Sequence, residues 1–430
     1  MITFYNLFSA LAALAVLPLF TLYSLVTGKK RRGLAHHFGF VPRPTSQDDK
    51  GGKVLWLYAL SRGEVNAAVP ILRRIREDNP NMLIVVSVTT DSGFDAARER
   101  LAFADQIMFH PLDCWPFIAL AVNRIQPDLF AVVDTGFWPG LLHSLQARKI
   151  PTVLINGRIS KKSIRRYKMF RPVARLMFTS FAKLCMQNQQ SLDAALSLGA
   201  DPARVQLCGD AKLDALLPVP DEERKRLRKS LDIADAASVW VAGSSHAGEE
   251  AIILDAHKSL LAKRPGLTLI LAPRRMERVD EIKDLLVARK FSFALRSTIT
   301  AGAARNGNVI LLDTMGELAN IYAIADACFV GRSLIAPGGG HSLIEPVAQG
   351  KPVLHGPHVE NVRDAAEELG KTGLAITVMD AGEIESAISK LLDDKPLRDE
   401  LAQKAQTFIA EKKGAARQIA DLLLECLEKS

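Results

Sequence analysis

Short runs of apolar residues alternate with longer amphipathic segments along most of this chain. Strands of a buried parallel sheet form nearly continuous apolar runs, whereas amphipathic helices repeat their apolar positions every three to four residues. The pattern predicts strands at 54–60, 83–89, 106–110, 129–134 and 152–156, and helices at 65–78, 95–101, 116–125 and 141–148. This alternation indicates βαβ units and a parallel sheet covered by helices on both faces.

The alternation starts again after a region of different composition. Residues 210–236 contain Pro218, Pro220 and a highly charged helical segment, which indicates a domain boundary. The pattern then predicts strands at 239–243, 268–272, 309–312, 327–330 and 352–355, and helices at 249–264 and 279–289. The sequence therefore predicts two doubly wound domains, followed by a helical segment at 397–430 that can pack against the first domain.

The first 28 residues carry no charged side chain, and four basic residues, 29–32, follow at once. About 20 apolar residues suffice to cross a bilayer, and basic residues after such a run keep the next domain on the cytoplasmic side. A cleavable signal peptide is disfavoured because its basic residues would precede the apolar run. We therefore predict a membrane anchor with a basic flank at 1–32, with a buried N-terminal core helix as the alternative.

A long stretch, residues 135–192, contains no Asp or Glu but many Lys and Arg. At 159–175 these basic residues are interleaved with apolar ones, a pattern typical of a surface that contacts anionic lipid or a phosphorylated ligand. A solvated basic face and a nucleic-acid surface are the alternatives, and the adjacent anchor favours a membrane over nucleic acid. The candidate contact residues are Arg158, Lys161, Lys162, Arg165 and Arg166.

Residues that directly follow the predicted strands are the candidates for chemistry, because ligands of doubly wound sheets bind at the carboxyl ends of the strands. Glu64 follows the first strand and can accept a proton from a hydroxyl, and Asp134 lies at the same edge. The residues after the strands of the second domain can bind an anion or a base edge, or can serve as ordinary helix caps. They are Ser244, Ser245, His246, Pro273, Arg274, Met315, Gly316 and Glu317.

A glycine-rich segment, residues 337–346 (PGGGHSLIEP), leads from one strand into a predicted helix that starts near Ser342. A helix N terminus attracts anions, and glycine lets the backbone approach a ligand closely. Glu345 lies one turn inside the helix, where its carboxylate can accept hydrogen bonds from ribose hydroxyls. The alternative is a tight turn without a ligand. The nucleotide-binding candidates here are Gly339, Gly340, Ser342, Leu343, Ile344 and Glu345.

Several classes of protein are poorly supported. The five cysteines are scattered and form no C-x-x-C pair, which argues against a disulfide framework and a structural zinc site. No G-x-G-x-x-G follows the first strand and no Walker motif occurs, which disfavours a dinucleotide dehydrogenase and a P-loop NTPase.

Taken together, these segments resemble the 3-deoxy-D-manno-octulosonic acid (Kdo) transferase family. The family patterns S-V-G-E-V, E-T-E-x-W-P-N, N-A-R-x-S, G-x-x-K-F-D, S-T-H-x-G-E-E, P-R, D-T-M-G-E-L and G-P-H-x-x-N have counterparts in the same order. The counterparts are 61–65 (SRGEV), 134–140 (DTGFWPG), 156–160 (NGRIS), 209–214 (GDAKLD), 244–250 (SSHAGEE), 273–274 (PR), 313–318 (DTMGEL) and 356–361 (GPHVEN).

The resemblance implies a GT-B fold, in which two Rossmann-like parallel-sheet domains face a cleft, with an N-terminal anchor helix. Residues 33–214 would bind the acceptor and 215–396 the nucleotide sugar. It implies inverting transfer of Kdo from CMP-Kdo to a lipid A precursor in lipopolysaccharide core biosynthesis, without a metal or other cofactor. Glu64 would be the general base, and Asp134 and Lys212 would stabilise the transition state. The partners would be CMP-Kdo, the lipid A precursor and the anionic inner-membrane surface on its cytoplasmic side, and no nucleic acid.

The chain departs from the family pattern at five positions. Arg62 replaces a small apolar residue, Asp134 is shorter than the family Glu, Gly136 replaces a second Glu, Gly140 replaces Asn, and Ser342 stands where Asn is usual. Most of these lie on the acceptor side. Transfer to another acceptor or from another nonulosonate donor, and binding without catalysis, are therefore the alternatives.

Overall fold

The structure is a computed structural model that describes Tyr5, Ser9 and residues 32–44, 52–134, 136–299 and 307–429, with only the backbone of Lys161 and Lys162. It contains two compact units. The first comprises the residues up to Ala215 together with those from Lys412 onward, and the second comprises Leu216–Glu411. The predicted boundary between 214 and 215 lies next to this division.

The first unit is built on a seven-stranded parallel sheet with the strand order β3-β2-β1-β4-β5-β6-β7. Both faces are covered, since Leu55 and Leu57 of β1 belong to one apolar core and Trp56 and Tyr58 to another. The strands are β1 (Val54–Ala59), β2 (Leu83–Val88), β3 (Gln106–Phe109), β4 (Leu129–Val133), β5 (Thr152–Gly157), β6 (Lys183–Met186) and β7 (Val205–Leu207).

The helices of this unit connect the strands in the order that βαβ topology requires. They are α1 (Leu34–His37), α2 (Arg62–Asp78), α3 (Asp91–Arg100), α4 (Trp115–Ile125), α5 (Pro139–Ala147), α6 (Lys161–Met169), α7 (Arg171–Ser180) and α8 (Gln189–Ser197). Two 3₁₀ turns, Pro202–Arg204 and Ala211–Ala215, flank β7.

The second unit has its own seven-stranded parallel sheet, with the order β10-β11-β9-β8-β12-β13-β14. Its strands are β8 (Val239–Ser245), β9 (Thr268–Pro273), β10 (Phe293–Leu295), β11 (Val309–Leu311), β12 (Ala327–Val330), β13 (Val353–His355) and β14 (Ala375–Thr377). Its helices are α9 (Asp221–Ser230), α10 (Glu249–Lys263), α11 (Val279–Ala288), α12 (Leu318–Ile321), α13 (Ile344–Ala348), α14 (Arg363–Thr372), α15 (Ala381–Asp393) and α16 (Lys395–Lys412).

In each sheet the order of the strands reverses at one place. Strand β1 is flanked by β2 and β4, and β8 is flanked by β9 and β12. At such a switch point the connections leave on opposite faces and open a crevice at the carboxyl ends of the strands. The predicted fold class, two doubly wound parallel-sheet domains, is confirmed.

The predicted strands and helices are present, with shifted ends. Helix α2 begins at Arg62 rather than at 65, so Glu64 lies in its first turn. Helix α3 begins at Asp91 rather than at 95, because the Thr90 hydroxyl oxygen accepts a hydrogen bond from the Gly93 N–H at 3.1 Å. Strands β6 and β7 and helices α6–α8 are among the elements that were not predicted; their apolar runs are short, and those at 159–183 lie among many basic residues.

The two C-terminal helices belong to different units. Helix α16 lies in the second unit, whereas the last helix, α17 (Ala415–Glu428), packs in the first, against α2. The Asp214 carboxylate accepts hydrogen bonds from the N–H groups of Gly414 (2.7 Å) and Ala416 (2.9 Å), which fixes the start of α17. The sequence expectation that all of 397–430 could pack on the first domain therefore holds only for the last helix.

Most of the predicted membrane anchor, residues 1–28, lies outside the described residues, which there include only Tyr5 and Ser9. None of the helices in the described part of the chain combines the length and apolar character needed to cross a bilayer.

Candidate active site

The switch point of the first sheet carries the predicted general base. Glu64 lies in the first turn of α2, directly after β1, and its carboxylate accepts a hydrogen bond from the Leu60 N–H. Burial raises the pKa of Glu64 from 4.5 to about 7. The Leu60 N–H and the Lys212 ammonium oppose this rise, while the Asp134 carboxylate adds to it. The structure thus brings Glu64, Asp134 and Lys212 within electrostatic reach of one another.

Asp134 and Lys212 are held by backbone contacts at the same edge of the sheet. Asp134 follows β4 in a left-handed conformation, with φ 62°, and its N–H donates to the Ile155 carbonyl at 3.0 Å. Lys212 lies in the 3₁₀ turn that packs against α2. The buried Asn156 side chain accepts a hydrogen bond from the Ala211 N–H at 2.9 Å. Asn156 therefore positions the turn that carries Lys212, a role that the sequence did not indicate.

The ring of Tyr58 lies against Gly136, the position where the family pattern has a second Glu. A Cβ added at Gly136 would lie 2.9 Å from Cε1 of Tyr58, a fully buried ring that packs at a tilt of 41° against His110 with centroids 4.1 Å apart. The Tyr58 hydroxyl lies 3.0 Å from the Thr89 hydroxyl. Burial and the charge of Glu64 help raise the pKa of Tyr58 to about 12. A neutral phenol thus takes up space beside position 136, where the family pattern has a carboxylate.

A second departure, Gly140, is also closely packed. The Asp113 carboxylate accepts hydrogen bonds from the N–H groups of Gly140 (2.9 Å) and Leu141 (2.8 Å) and so caps the N terminus of α5. A Cβ at Gly140 would lie 2.9 Å from Oδ1 of Asp113. The Tyr5 hydroxyl donates to the other oxygen of the same carboxylate at 2.6 Å. Glycine at this position therefore allows a carboxylate from a neighbouring loop to reach the helix end.

The predicted basic surface includes an apolar groove. Arg165 and Arg166 are exposed on α6, whereas the side chains of Lys161 and Lys162 lie outside what the structure describes. Beside them a cavity of about 390 Å³ opens between α6 and α7. Phe170 and Met169 at the same helix junction are 59% and 70% exposed. The residues that line the cavity are Ser163, Arg166, Tyr167, Phe170, Val173, Ala174 and Met177.

The switch point of the second sheet gathers a basic cluster, which consists of His246, Arg274, Arg332 and His341. The Nε2 atoms of His246 and His341 lie 3.0 Å apart, and their rings stack. Burial, and then the charges of Arg274, His246 and Arg332, lower the pKa of His341 to about 4. The sequence reasoning included His246 and Arg274 but missed Arg332 and His341. That His341 lies within the glycine-rich segment was a usable signal.

Glu345 is the carboxylate next to this cluster. Burial raises the pKa of Glu345, while the positive charge of Arg274 and a hydrogen bond with Ser342 oppose the rise. Glu345 and Arg274 thus lie within electrostatic reach, as their predicted common role requires. Leu343 is buried and Ile344 packs against the core, so only their backbone groups are available to a ligand.

The glycine-rich segment differs from the expectation in two respects. Its helix, α13, begins at Ile344 rather than near Ser342 and spans 5 residues, because Gly350, with φ 74°, ends it. The N–H groups of Gly339 and Gly340 donate to the carbonyl oxygens of His358 (3.0 Å) and Arg332 (2.8 Å). These two amides are therefore engaged within the protein instead of pointing at a ligand.

The other predicted residues occupy the ends of β8, β9 and β11. The Ser245 hydroxyl donates to the buried Glu250 at 2.9 Å and so faces inward, whereas Ser244, with φ 57°, turns the chain. Arg274 is exposed directly after Pro273, the last residue of β9. Met315 is 76% exposed and Gly316 has no atom within 4 Å of an added Cβ. The Glu317 carboxylate accepts a hydrogen bond from Arg296 at 2.9 Å.

Within the described part of the chain, no group of three or more His, Cys, Asp or Glu side chains could hold a metal ion. The absence of a metal from the reaction remains a prediction.

Comparison with known proteins gives the family. The profile described as "3-Deoxy-D-manno-octulosonic-acid transferase (kdotransferase)" matches residues 32–215, and that of "Glycosyl transferases group 1" matches residues 299–408. The chain is 33% identical to the 3-deoxy-D-manno-octulosonic acid transferase of Haemophilus influenzae over 413 residues, which cover 95% of both chains. The chain belongs to the Kdo transferase family.

Other similarities agree with this assignment. A Kdo transferase from Chlamydophila psittaci is 29% identical over 96% of this chain and 93% of its own. The UDP-GlcNAc 2-epimerase of Neisseria meningitidis, bound to UDP-GlcNAc, superimposes with a TM-score of 0.60 at 16% identity over 88% of this chain and 100% of that one. This likeness shows the fold. Membership of the Kdo transferase family makes the protein a glycosyltransferase, as the sequence predicted.

Proposed function

We propose that this protein transfers Kdo from CMP-Kdo to a lipid A precursor in lipopolysaccharide core biosynthesis, with inversion at the anomeric carbon. The observation that carries the proposal is Glu64, a half-buried carboxylate whose pKa is raised to about 7. A general base works best when its pKa lies near the working pH. Glu64 combines such a pKa with a position at the switch point of a doubly wound sheet.

In the proposed reaction, an acceptor hydroxyl gives its proton to a carboxylate oxygen of Glu64. The hydroxyl oxygen forms a bond to the anomeric carbon of Kdo as the bond from that carbon to the phosphate oxygen breaks, and CMP leaves with the electron pair. Lys212 and Asp134 stabilise the charges that develop around the acceptor and Kdo. The proposed reaction uses no metal ion. Cationic side chains of the protein therefore stabilise the negative charge of the departing nucleotide.

The second unit would hold the nucleotide. Arg274 follows β9 and is exposed, so its guanidinium can pair with the phosphate in bidentate fashion. Glu345 lies near Arg274 and can accept hydrogen bonds from ribose hydroxyls. The segment Met315–Glu317 and the backbone of 341–344 complete the proposed contacts; of those expected from the family resemblance, the amides of Gly339 and Gly340 are left out because they are engaged within the protein.

A lipid acceptor is supported by the surface of α6 and α7. Exposed Arg165 and Arg166 can pair with acceptor phosphates or anionic head groups, and the adjacent apolar cavity of about 390 Å³ suits acyl chains. Together with the uncharged run at 1–28, this surface would hold the enzyme on the cytoplasmic face of the inner membrane. Gly136 and Tyr58 favour one alternative, a changed acceptor, because they alter the family pattern on the acceptor side.

The proposal is tested by incubating the full-length protein with CMP-Kdo and a tetra-acylated lipid A precursor and analysing the lipid by mass spectrometry. We expect a product heavier by one or more Kdo residues, together with free CMP. Reactions without protein and reactions with CMP-N-acetylneuraminate serve as controls for hydrolysis and for donor identity. Release of CMP without any modified lipid would refute the acceptor, and an unchanged donor would refute transferase activity.

A further inference from the structure

Arg332 adopts a backbone conformation that an arginine rarely takes. Its φ of 61° lies in the left-handed region, where the Cβ of an L-residue is crowded and glycine is preferred. Such a conformation persists only where the surroundings enforce it, and it often marks a functional position. Arg332 follows β12, beside β8, at the switch point of the second sheet.

A buried carboxylate enforces this conformation. Glu249 is 1% exposed and accepts hydrogen bonds from three consecutive N–H groups, those of Arg332 (2.7 Å), Ser333 (2.8 Å) and Leu334 (2.9 Å). It also accepts one from the N–H of His246 at 2.9 Å. The loop that carries Arg332 is thus tied to the loop that carries His246, so both side chains start from fixed positions.

The positive charges of this basic cluster are those of Arg274 and Arg332, because lowered pKa values keep both histidines neutral near pH 7. The charge of Arg332 contributes to the lowering of the pKa of His341, which is mainly due to burial, and acts in the same direction on His246. Within the described residues, no carboxylate lies within ion-pair distance of Arg332 or of Arg274. Two guanidinium groups without such partners at one edge of a sheet form a site that an anionic ligand would stabilise.

The donor of the proposed function carries two anionic groups. In CMP-Kdo the anomeric carbon bears both the phosphodiester and the sugar's own carboxylate. The two groups are therefore only a few bonds apart. The cluster likewise offers two guanidinium groups, from Arg274 after β9 and from Arg332 after β12, on either side of β8.

We propose that Arg332, with His341 beside it, forms a second anion subsite that binds the carboxylate of the nonulosonate sugar, while Arg274 binds the phosphate. The planar guanidinium of Arg332 suits bidentate binding of a carboxylate. This subsite would select CMP-linked 2-keto acid sugars and reject nucleotide sugars without a carboxylate. The inference rests on the proposed function, because it takes CMP-Kdo as the donor.

The test compares CMP, which lacks the sugar carboxylate, with CMP-Kdo as ligands of the full-length protein by titration calorimetry. The variants are Arg332→Gly and Arg332→Lys, and the matched control is Lys290→Gly. Lys290 has the same φ of 61° and follows helix α11 rather than a strand end. The control therefore removes one positive charge and one side chain from a left-handed backbone position that lies outside the cluster.

We expect Arg332→Gly to weaken CMP-Kdo binding by about 10–100-fold, as loss of a charge-assisted pair would, and CMP binding by less than about 3-fold. Arg332→Lys should weaken CMP-Kdo binding less than Arg332→Gly, and Lys290→Gly should change neither affinity. The glycine variants should melt within a few degrees of the wild type, because glycine accepts this φ without strain.

Three results would overturn the inference. Equal weakening of CMP and CMP-Kdo would assign Arg332 to the phosphate. Unchanged CMP-Kdo affinity in Arg332→Gly would remove it from the donor site, and an equal effect of Lys290→Gly would make the loss nonspecific. Failure of the wild-type protein to bind CMP-Kdo would instead refute the proposed function itself.

Discussion

The pKa of Glu64 gives a prediction in which two neighbouring substitutions act in opposite directions. Only ionised Glu64 can accept a proton, so kcat/KM should rise with pH and level off above a midpoint near 7, the pKa to which burial raises this group. With that midpoint, about one-tenth of Glu64 is ionised at pH 6 and about nine-tenths at pH 8.

The two substitutions are Asp134→Asn and Lys212→Met. Asp134 raises the pKa of Glu64, so its loss should move the midpoint down, whereas Lys212 lowers that pKa, so its loss should move the midpoint up. Charges within about 4–6 Å move a carboxyl pKa by about 1–3 pH units. Because burial is the main cause here, we expect displacements of roughly one pH unit each.

The assay is the pH dependence of kcat/KM for Kdo transfer, measured for wild type and variants with the same donor and acceptor. Any ionisation of the substrates then affects the wild type and the variants equally and does not contribute to the difference between their midpoints. Asp193→Asn, on α8, is the matched control, because Asp193 is not among the groups that shift the pKa of Glu64, and it should leave the midpoint unchanged. The plateau rates of Asp134→Asn and Lys212→Met should also fall, since both groups are proposed to act in catalysis.

The direction in which each substitution shifts the pH midpoint tests the assignment to Glu64, whatever happens to the plateau rate. If both variants move the midpoint in the same direction, or if neither moves it, the observed ionisation is not that of Glu64.

Three further predictions concern the nucleotide, metal and lipid. Arg274→Ala should weaken CMP binding by about 1.5–3 kcal/mol in calorimetry, as loss of a charge-assisted contact would, and unchanged affinity would place the phosphate elsewhere. Transfer activity should survive EDTA, because protein cations carry the charge of the leaving group; loss of activity with rescue by Mg²⁺ would contradict this. Reversal of Arg165 and Arg166 to Glu should reduce binding to vesicles that contain anionic lipid, and this binding should fall as salt rises. The same reversal at exposed Arg226 and Lys229 on α9 is the control, and equal losses in both variants would show that overall charge, not this surface, is responsible.

Features that depend on neighbours in the chain could be predicted from the sequence. The strands of both sheets follow from apolar runs, and parallel topology places their carboxyl ends at one edge, which is why Glu64 and Asp134 could be expected together. Lys212 could be placed beside them only through the family resemblance, because it lies far along the chain from both.

Features that depend on distant contacts could not be predicted. In the sequence, Glu249 resembles any acidic residue in the first turn of a helix. In the structure, its carboxylate accepts hydrogen bonds from a loop that lies more than 80 residues later. Asn156 supports the turn of Lys212 from 55 residues away. Gly136 could be seen as a departure from the family, but its contact with the ring of Tyr58 is visible only in the folded structure. Side chains that position functional groups through such contacts leave no local pattern.

The rate of Kdo transfer by Glu64→Gln, compared with wild type, tests the central claim most directly. Glutamine keeps the size of the side chain but cannot accept the proton, and general-base catalysis typically contributes about 10²–10⁴-fold. We therefore predict a rate at least about 100-fold below that of the wild type, with CMP affinity within a few-fold. Transfer at more than about one-tenth of the wild-type rate would contradict the account and remove Glu64 from the mechanism.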